Sequence, residues 1–580
     1  MKAPRPNRGK AARRKPAKHL KTNGKLVSLM SAHGDLIVCL ALVAVVFLCF
    51  GNSIANEFVF DDIYLVSFNK QIRSLDLPLL LSSYRPIRDI SYAIDFALWG
   101  ENPYGFHFTS ILIHAANVVL VFALVRRLTK DLLSAILAAL IFAVHPIQTD
   151  AVTYISGRRD VLFALFYILA FHSYLTYYRS RWSLKSVVCI ILFLVLWMLS
   201  LLSKEMAASL PILIFVWHFC DAWDEGTGSL WRRAVQTFKT TFKRDKWFWL
   251  GLSLAGIVFT AYWVLIKGAS RRIGAGRFEY WGGSFYLNML TVIRVHAWYL
   301  KQLVYPTPIA QYLGAFEISE SLFDWRLLVS LVVVGGVLCY GFLLLNRDKL
   351  MAFAIFSYFV FLLPVSQFIP HHELLADHYL YLPMMSFGLF VSLLVKRIGS
   401  SGVISHKTLY FLAGVAVIIL GVMTILQNRT WKDERTLWTY NYKAVPNSPR
   451  AAFNLGNTYQ YTEPQKAKEL FKRSLALKPT PVIERSLYDR LAVILINEGN
   501  FDEAEFYVAQ VLKKSPKDFF GNLWISQIYM AKKDCDKARA SLSLAQTVAG
   551  TPHDGLAGNP RELHLAEQAS QQLEQQCGKP

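Results

Sequence analysis

The chain is broken up by apolar stretches long enough to cross a bilayer, and a lipid interior admits few folds. Backbone N–H and C=O groups find no water there, so a spanning segment must be a helix or part of a closed barrel. A helix needs about 20 apolar residues to cross about 30 Å of hydrocarbon. Eleven segments meet that need once flanking aromatic and small residues are counted. They are centred on 36–50, 107–125, 132–144, 161–178, 187–202, 206–221, 248–266, 327–345, 351–368, 379–395 and 408–426. A helical membrane bundle of about eleven spans is therefore expected. The 54% hydrophobic content over 580 residues agrees, being too high for a soluble chain.

The net charge of +22 invites a nucleic-acid reading, but its distribution argues against one. Ten Lys and Arg precede Gly34. Others crowd short loops: Arg126/Arg127/Lys130, Arg179/Arg181/Lys185, Arg232 through Lys246, Arg347/Lys349 and Lys396/Arg397/Lys407. This is the positive-inside pattern, suited to anionic head groups; the expected partner is the bilayer, with no nucleic acid. Residues 1–33 then form a basic cytoplasmic tail and 34–428 a transmembrane domain. Its outer loops are 54–106, 145–160, 267–326 and 369–378, and 429–580 lies on the same outer face. Leu36 to Phe50 reads as a retained span, because no convincing small-residue cleavage site follows it. Phe285 to Val304 carries Arg294, His296 and Lys301, and Ile87 to Trp99 is similarly mixed; both are expected as helices at the outer surface. Five of the seven cysteines fall in apolar spans. Cys535 and Cys577 do not, and could pair in an oxidising compartment.

From Ala451 the pattern turns helical and repetitive. Leu491, Gly499, Phe501, Ala504 and Pro516 return 34 residues later as Ile525, Lys533, Cys535, Ala538 and Gly550. An earlier copy runs through Ala452, Leu455-Gly456, Tyr459, Ala467, Phe471 and Pro479. That period reads as a tetratricopeptide-repeat α-solenoid of about three repeats and a final helix near Leu563 to Gln576, with a concave face suited to a peptide or protein.

The outer loops concentrate charge and aromatic rings at span ends. Asp61-Asp62 follows the first span, and two acids beside lipid are costly without a use. Across the other outer segments lie Arg85, Arg88, His107, His145, Arg158, Arg159, Lys204, Glu205, His378 and Tyr379. One carboxylate base plus fixed cations suits transfer from a lipid-linked phosphate: the base takes the acceptor proton, and the phosphate leaves unprotonated. His371, His372, Glu373, Asp377 and His378 could ligate a divalent metal, but their spacing matches no metal motif, so none is assigned.

Taken in order, Phe60-Asp61-Asp62, Tyr84-Arg85-Pro86, Phe142-Ala143-Val144-His145-Pro146, Gly157-Arg158-Arg159-Asp160, Ser203-Lys204-Glu205 and Tyr379-Leu380-Tyr381-Leu382-Pro383 resemble a known family. It is that of the transmembrane and tetratricopeptide-repeat O-mannosyltransferases, within the GT-C superfamily of membrane glycosyltransferases. The resemblance implies an all-α GT-C fold and inverting transfer of mannose or another hexose from a polyprenyl phosphate. The repeats, placed beside the site, could present an extended polypeptide, which favours a protein Ser/Thr hydroxyl as acceptor over lipid. An acid of the Asp61-Asp62 pair would be the base, with Arg85, His107, His145, Arg158 and Lys204 around the donor. The chain departs from the pattern at Asp377-His378, where relatives often show Glu-Arg, and at Asp150, where they often carry Glu. A bacterial inner membrane with periplasmic repeats is expected, or the endoplasmic reticulum membrane in a eukaryote. A non-catalytic scaffold and a lipid-linked glycan ligase or polymerase are the competing readings.

Overall fold

The computed structural model describes residues 20–179, 184–223, 229–244, 246, 248–257, 261, 279–310, 316–371, 373–550 and 560–578. Regular structure among them is entirely helical. The tail before residue 20, Arg181, most of the expected span beyond 257, parts of the 267–326 loop and His372 lie outside the described residues.

Among the described residues, seven helices are long and apolar enough to cross a membrane: Gly34–Ser53, Pro103–Thr129, Ile155–Tyr178, Leu184–Ser203, Glu205–Ala222, Trp325–Leu344 and His406–Trp431. Leu132–Val144 and Pro146–Val152, bent by 50° at a break, make an eighth if counted as one span. Pro146 lacks the N–H that would continue the first of these helices, hence the bend. Lys349–Val365 and Phe248–Ile257 are shorter apolar helices. The segment expected at 379–395 becomes helical only from Pro383, after a 3₁₀ turn over Asp377–Leu380. Proline favours the first turn of a helix, which fixes that start. The two mixed segments form helices, Pro86–Trp99 and Phe285–Val304.

Basic loops gather at one end of the bundle. Arg126 pairs with Asp35 (3.6 Å), Lys396 with Asp131 (3.7 Å), and Lys349 Nζ donates to the Asp221 carbonyl (3.2 Å). The acid-bearing loops and the repeats occupy the other. Within the core, the Tyr381 hydroxyl lies 2.8 Å from His114 Nδ1 and accepts from Asn117 Nδ2 (2.9 Å), so His114 is a satisfied core histidine.

Beyond the last span a turn at Arg429–Trp431 leads into the helix Glu434–Ala444, and the repeats follow as antiparallel pairs. The pairs are Pro449–Tyr459 with Pro464–Ala476, Pro481–Asn497 with Phe501–Lys514, and Phe519–Ala531 with Cys535–Ala549. The 34-residue period reaches the caps: Asn500 accepts from Glu503 N and Asp534 from Lys537 N. Each cap follows a left-handed residue, Gly499 (φ 74°) and Lys533 (φ 63°). At Gly456 a Cβ would lie 2.5 Å from the Phe471 ring, so only glycine lets these helices close.

A disulfide joins Cys535 to Cys577 and ties the final helix, Pro560–Cys577, to the third pair. Closing a loop of that size is worth about 2–4 kcal/mol. Cys577→Ser should therefore raise amide exchange in 560–577 by several tens-fold or more, while the first repeat pair keeps its protection. Hydrogen-exchange mass spectrometry reads both segments in one experiment.

Candidate active site

After the first span the acid pair follows a turn at Phe60 and leads into the short helix Ile63–Ser67. Phe60 takes a left-handed conformation (φ 55°), which a bulky residue adopts only where its surroundings hold it. Its N–H donates to Glu434 Oε1 (2.5 Å), and the ring packs edge-on against Trp438, centroids 5.3 Å apart. Trp438 Nε1 donates in turn to Glu434 Oε2 (2.6 Å). Alongside, Glu57 N donates to the Lys432 carbonyl (2.9 Å) and Asn56 Nδ2 to that of Asn428 (3.2 Å). The loop is thus clamped by the segment that carries the repeats.

Reversing direction at Phe60 parts the two acids. Asp62 is fully buried: its Oδ1 accepts from Ser156 N (2.7 Å) and Oγ (2.5 Å), its Oδ2 from Val59 N (3.3 Å). Burial pushes its pKa up to about 7, against the pull of those donors. Asp61 is half-buried and faces a cavity of about 1990 Å³ between the bundle and the repeats.

Cations and apolar side chains share the wall of that cavity. Arg85 bridges to Glu205 (3.0 Å), and Lys204 Nζ donates to the buried Asp160 (2.5 Å) while lying 4.9 Å from the Tyr379 ring centroid. Lys204 and Glu205, adjacent in sequence, therefore pair with other partners. Burial pulls the Lys204 ammonium below the ordinary lysine range, partly offset by Asp160. Arg159 Nε lies 3.5 Å from Asp160 Oδ2, off hydrogen-bond geometry. Both Arg159 Nε and Arg85 Nε are buried donors with no acceptor among the described residues. Tyr379 donates to Glu373 Oε2 (3.1 Å), and His378 Nδ1 sits 3.1 Å from Asp150 Oδ2. Ile212, Leu363 and Ile369 give the same cavity an apolar flank, and Asn454, Asn457 and Arg490 of the repeats face it from across.

Arg85, Arg159, Lys204, Glu205, His378 and Tyr379 thus meet Asp61 at one cavity. Arg88, His107, His145 and Arg158 do not reach its wall. Arg88 pairs with Asp89 (2.7 Å) in a buried couple. His107 is buried beneath the acid loop. His145 Nδ1 accepts from Ile147 N (3.3 Å) and its Nε2 lies 3.2 Å from the Leu303 carbonyl. Arg158, with no exposed surface, bonds to Asp95, to Ser110 Oγ (3.2 Å) and to the Phe106 carbonyl (2.5 Å). Gly157 just before it is needed for contact, since a Cβ there would lie 2.5 Å from the Asp150 carbonyl oxygen. Asp160, Glu434 and Trp438 escaped the sequence reading of the site. Asp160 stood in a recognised motif, whereas Glu434 lies 373 residues from Asp61 and carried no local signal.

Among the described residues, no group of three or more His, Cys, Asp or Glu side chains is disposed to hold a metal ion. The candidate cluster around 371–378 is divided, with His371, Glu373 and His378 on the large cavity and Asp377 turned to a separate small one.

The clamp yields a test. Glu434→Ala removes a charge-assisted acceptor worth about 1.5–3 kcal/mol, and Glu434→Gln keeps an oxygen for Phe60 but not for both donors. Any activity that uses Asp61 should fall in the order wild type, Gln, Ala. The change should appear in kcat rather than KM, with far-UV circular dichroism unchanged.

Fold and cavity together define a multi-pass helical membrane protein whose repeat array closes over a charged site at one end of the bundle. Residues 486–518 match the tetratricopeptide repeat model. Over 552 residues the chain is 24% identical to protein O-mannosyl-transferase TMTC3 of Mus musculus, covering 87% of this chain and 54% of that protein. It is 35% identical over 146 residues to TMTC1 of Mus musculus, covering 22% of this chain and 15% of the relative. The protein O-mannosyl-transferase F38B6.6 of Caenorhabditis elegans is 23% identical over 446 residues, 73% and 59% of the two chains. The resemblance seen in the motifs is borne out: the chain is related to the transmembrane and tetratricopeptide-repeat O-mannosyltransferases. It spans about half the length of the curated TMTC3 relatives it matches. ArnT from Cupriavidus metallidurans bound to undecaprenyl phosphate is a structural neighbour with TM-score 0.36 and 11% identity, covering 83% of this chain and 81% of that one. A likeness that slight carries no argument.

Proposed function

We propose that the chain is an inverting membrane glycosyltransferase that moves a hexose from a polyprenyl phosphate to a protein Ser/Thr hydroxyl, with Asp61 as base. The observation that carries this reading is the union, in one cavity, of a half-buried acid facing it, two guanidinium Nε–H groups without acceptors among the described residues, and an apolar flank. Asp61 would take the acceptor proton as its oxygen attacks the anomeric carbon, and the glycosyl–phosphate bond breaks with its electrons on phosphate. Arg85, Arg159 and Lys204 are suited to hold that phosphate, because fixed donors stabilise charge as it develops. Ile212, Leu363 and Ile369 offer the prenyl chain a path from the bilayer. Buried hydrogen bonds make Asp62 a support for the loop rather than a second base.

In this reading the cavity and repeats face away from the cytoplasm. The Lys/Arg loops at the opposite end of the bundle support that sidedness, and so does the Cys535–Cys577 disulfide. A bacterial inner membrane with periplasmic repeats is the proposed setting, and the repeat face across the cavity the proposed holder of the acceptor. Transfer is tested with the purified chain, a polyprenyl-phosphate mannose and a Ser/Thr-rich peptide. Hexosylated peptide supports the proposal, and its absence with several polyprenyl-phosphate sugars contradicts it.

A further inference from the structure

Along the repeats the large cavity has a wall of its own, and none of its described residues comes from the second helix of a pair. Asn454, Arg490 and Trp524 hold the same place in successive repeats, each just before a buried residue, Leu455, Leu491 or Ile525. The wall is therefore the inner face of the array, and the cavity that holds Asp61 continues along it as a groove. Much of this face is apolar and uncovered. Tyr461 is 85% exposed and Val482 78%. Phe453, Phe520, Trp524 and Leu565 are half-buried on the same wall, with the Phe520 and Trp524 rings stacked 6.1 Å apart. Arg490 Nη1 donates to Gln460 Oε1 (3.0 Å), which fixes the guanidinium in the wall next to Asp489. Asp489 and Asn457 are half-buried there, and the Oδ1 of each is an acceptor with no donor among the described residues.

An extended chain offers N–H and C=O groups along its edges and side chains to alternate faces. Its N–H groups suit the Asn457 and Asp489 side chains, and its carbonyls suit Arg490. The charges on the wall thus complement a main chain rather than one particular side chain. Uncovered rings and aliphatic groups in the same groove take apolar side chains. A folded domain offers neither, since its main-chain groups pair with one another and its large apolar side chains lie mostly in its core. The first helices of successive pairs touch, and packed helices lie roughly 8–10 Å apart. An extended chain therefore needs about five or six residues to run from Asn454 to Trp524. We propose that the inner repeat face binds the acceptor as an unfolded, extended segment, through its main chain and apolar side chains, so that sugar is added before the polypeptide folds. The site stands on the groove itself; that its occupant is a sugar acceptor rests on the glycosyltransferase reading.

Binding without any sugar donor provides the test, with the full chain in nanodiscs and empty nanodiscs as the blank. The probe is a fluorescein-labelled Ser/Thr peptide of about 14 residues carrying Leu, Val and Phe, long enough for the groove, read by anisotropy. Replacing its apolar residues by Asn and Gly should weaken binding at least about tenfold. N-methylating alternate peptide bonds should weaken it at least about threefold. Reduced, carbamidomethylated ribonuclease A should compete with the probe, and native ribonuclease A should not. Trp524→Ala should weaken binding at least about fivefold. Val482→Asp should do the same at a position too exposed to disturb folding. Equal binding of the polar peptide, equal competition by native ribonuclease A, or wild-type binding in Val482→Asp overturns the proposal. The expected binding pattern without sugar transfer supports the site and strikes the reading that makes its occupant an acceptor.

Discussion

Asp61→Asn should lower sugar transfer by about 10²–10⁴-fold, the usual contribution of a positioned general base, and leave folding and membrane insertion intact. The carboxylate faces the cavity, so an amide of the same shape removes the proton acceptor and little else. Asp62→Asn should behave differently. The replacing amide can still accept from Ser156, but its NH₂ then confronts the Val59 N–H that Asp62 Oδ2 accepts. The expected cost is about 1–3 kcal/mol of stability, with transfer retained by the folded fraction. Proton linkage gives a second readout. Burial raises the folded pKa of Asp62 to about 7, so the folded state keeps a proton that the unfolded chain has lost above about pH 4. This residue's contribution therefore declines as pH rises from about 4 to 7 and is flat above. Asp62→Asn should remove that slope, as stability measured across the pH range would report. Equal activity in Asp61→Asn and wild type would remove Asp61 from the chemistry.

Removing Arg158 or Asp95 alone should destabilise the protein by about 3–5 kcal/mol, because each leaves a buried charge without its partner. Asp95 is 2% exposed and Arg158 has no exposed surface, so water cannot compensate. Arg158→Met with Asp95→Leu should recover most of the loss, since a well-packed apolar pair often matches a buried ion pair. Arg159→Met should leave stability nearly unchanged and act on transfer, through KM if it only binds the donor phosphate. Thermal unfolding in detergent separates the cases. A mild effect of Arg158→Ala on Tm with a large one on transfer would return Arg158 to the site.

Three adjacent charged pairs explain what sequence could and could not reveal. In Asp61-Asp62, Arg158-Arg159 and Asp377-His378 one member lines the large cavity and the other is turned into the protein. A motif identifies the pair, but neighbouring residues point in different directions, and only the backbone decides which is which. Here the decision rests on the left-handed turn at Phe60, the helix start at Arg158 and the 3₁₀ turn at Asp377. Spans and repeats were legible because periodicity and the cost of burying backbone polarity are local properties. The bend at Pro146 and the late start at Pro383 were written in proline, yet apolar counting passed over both. Glu434 and Trp438 were beyond reach, since their contact with Phe60 joins distant parts of the chain.

Mass spectrometry of exported proteins tests the central claim most directly, comparing cells that carry the wild-type gene with cells that carry Asp61→Asn at equal membrane abundance. The account predicts hexose-sized additions on Ser/Thr of exported polypeptides with the wild type and their loss in the variant. The same additions in both strains, or none in either, would contradict it.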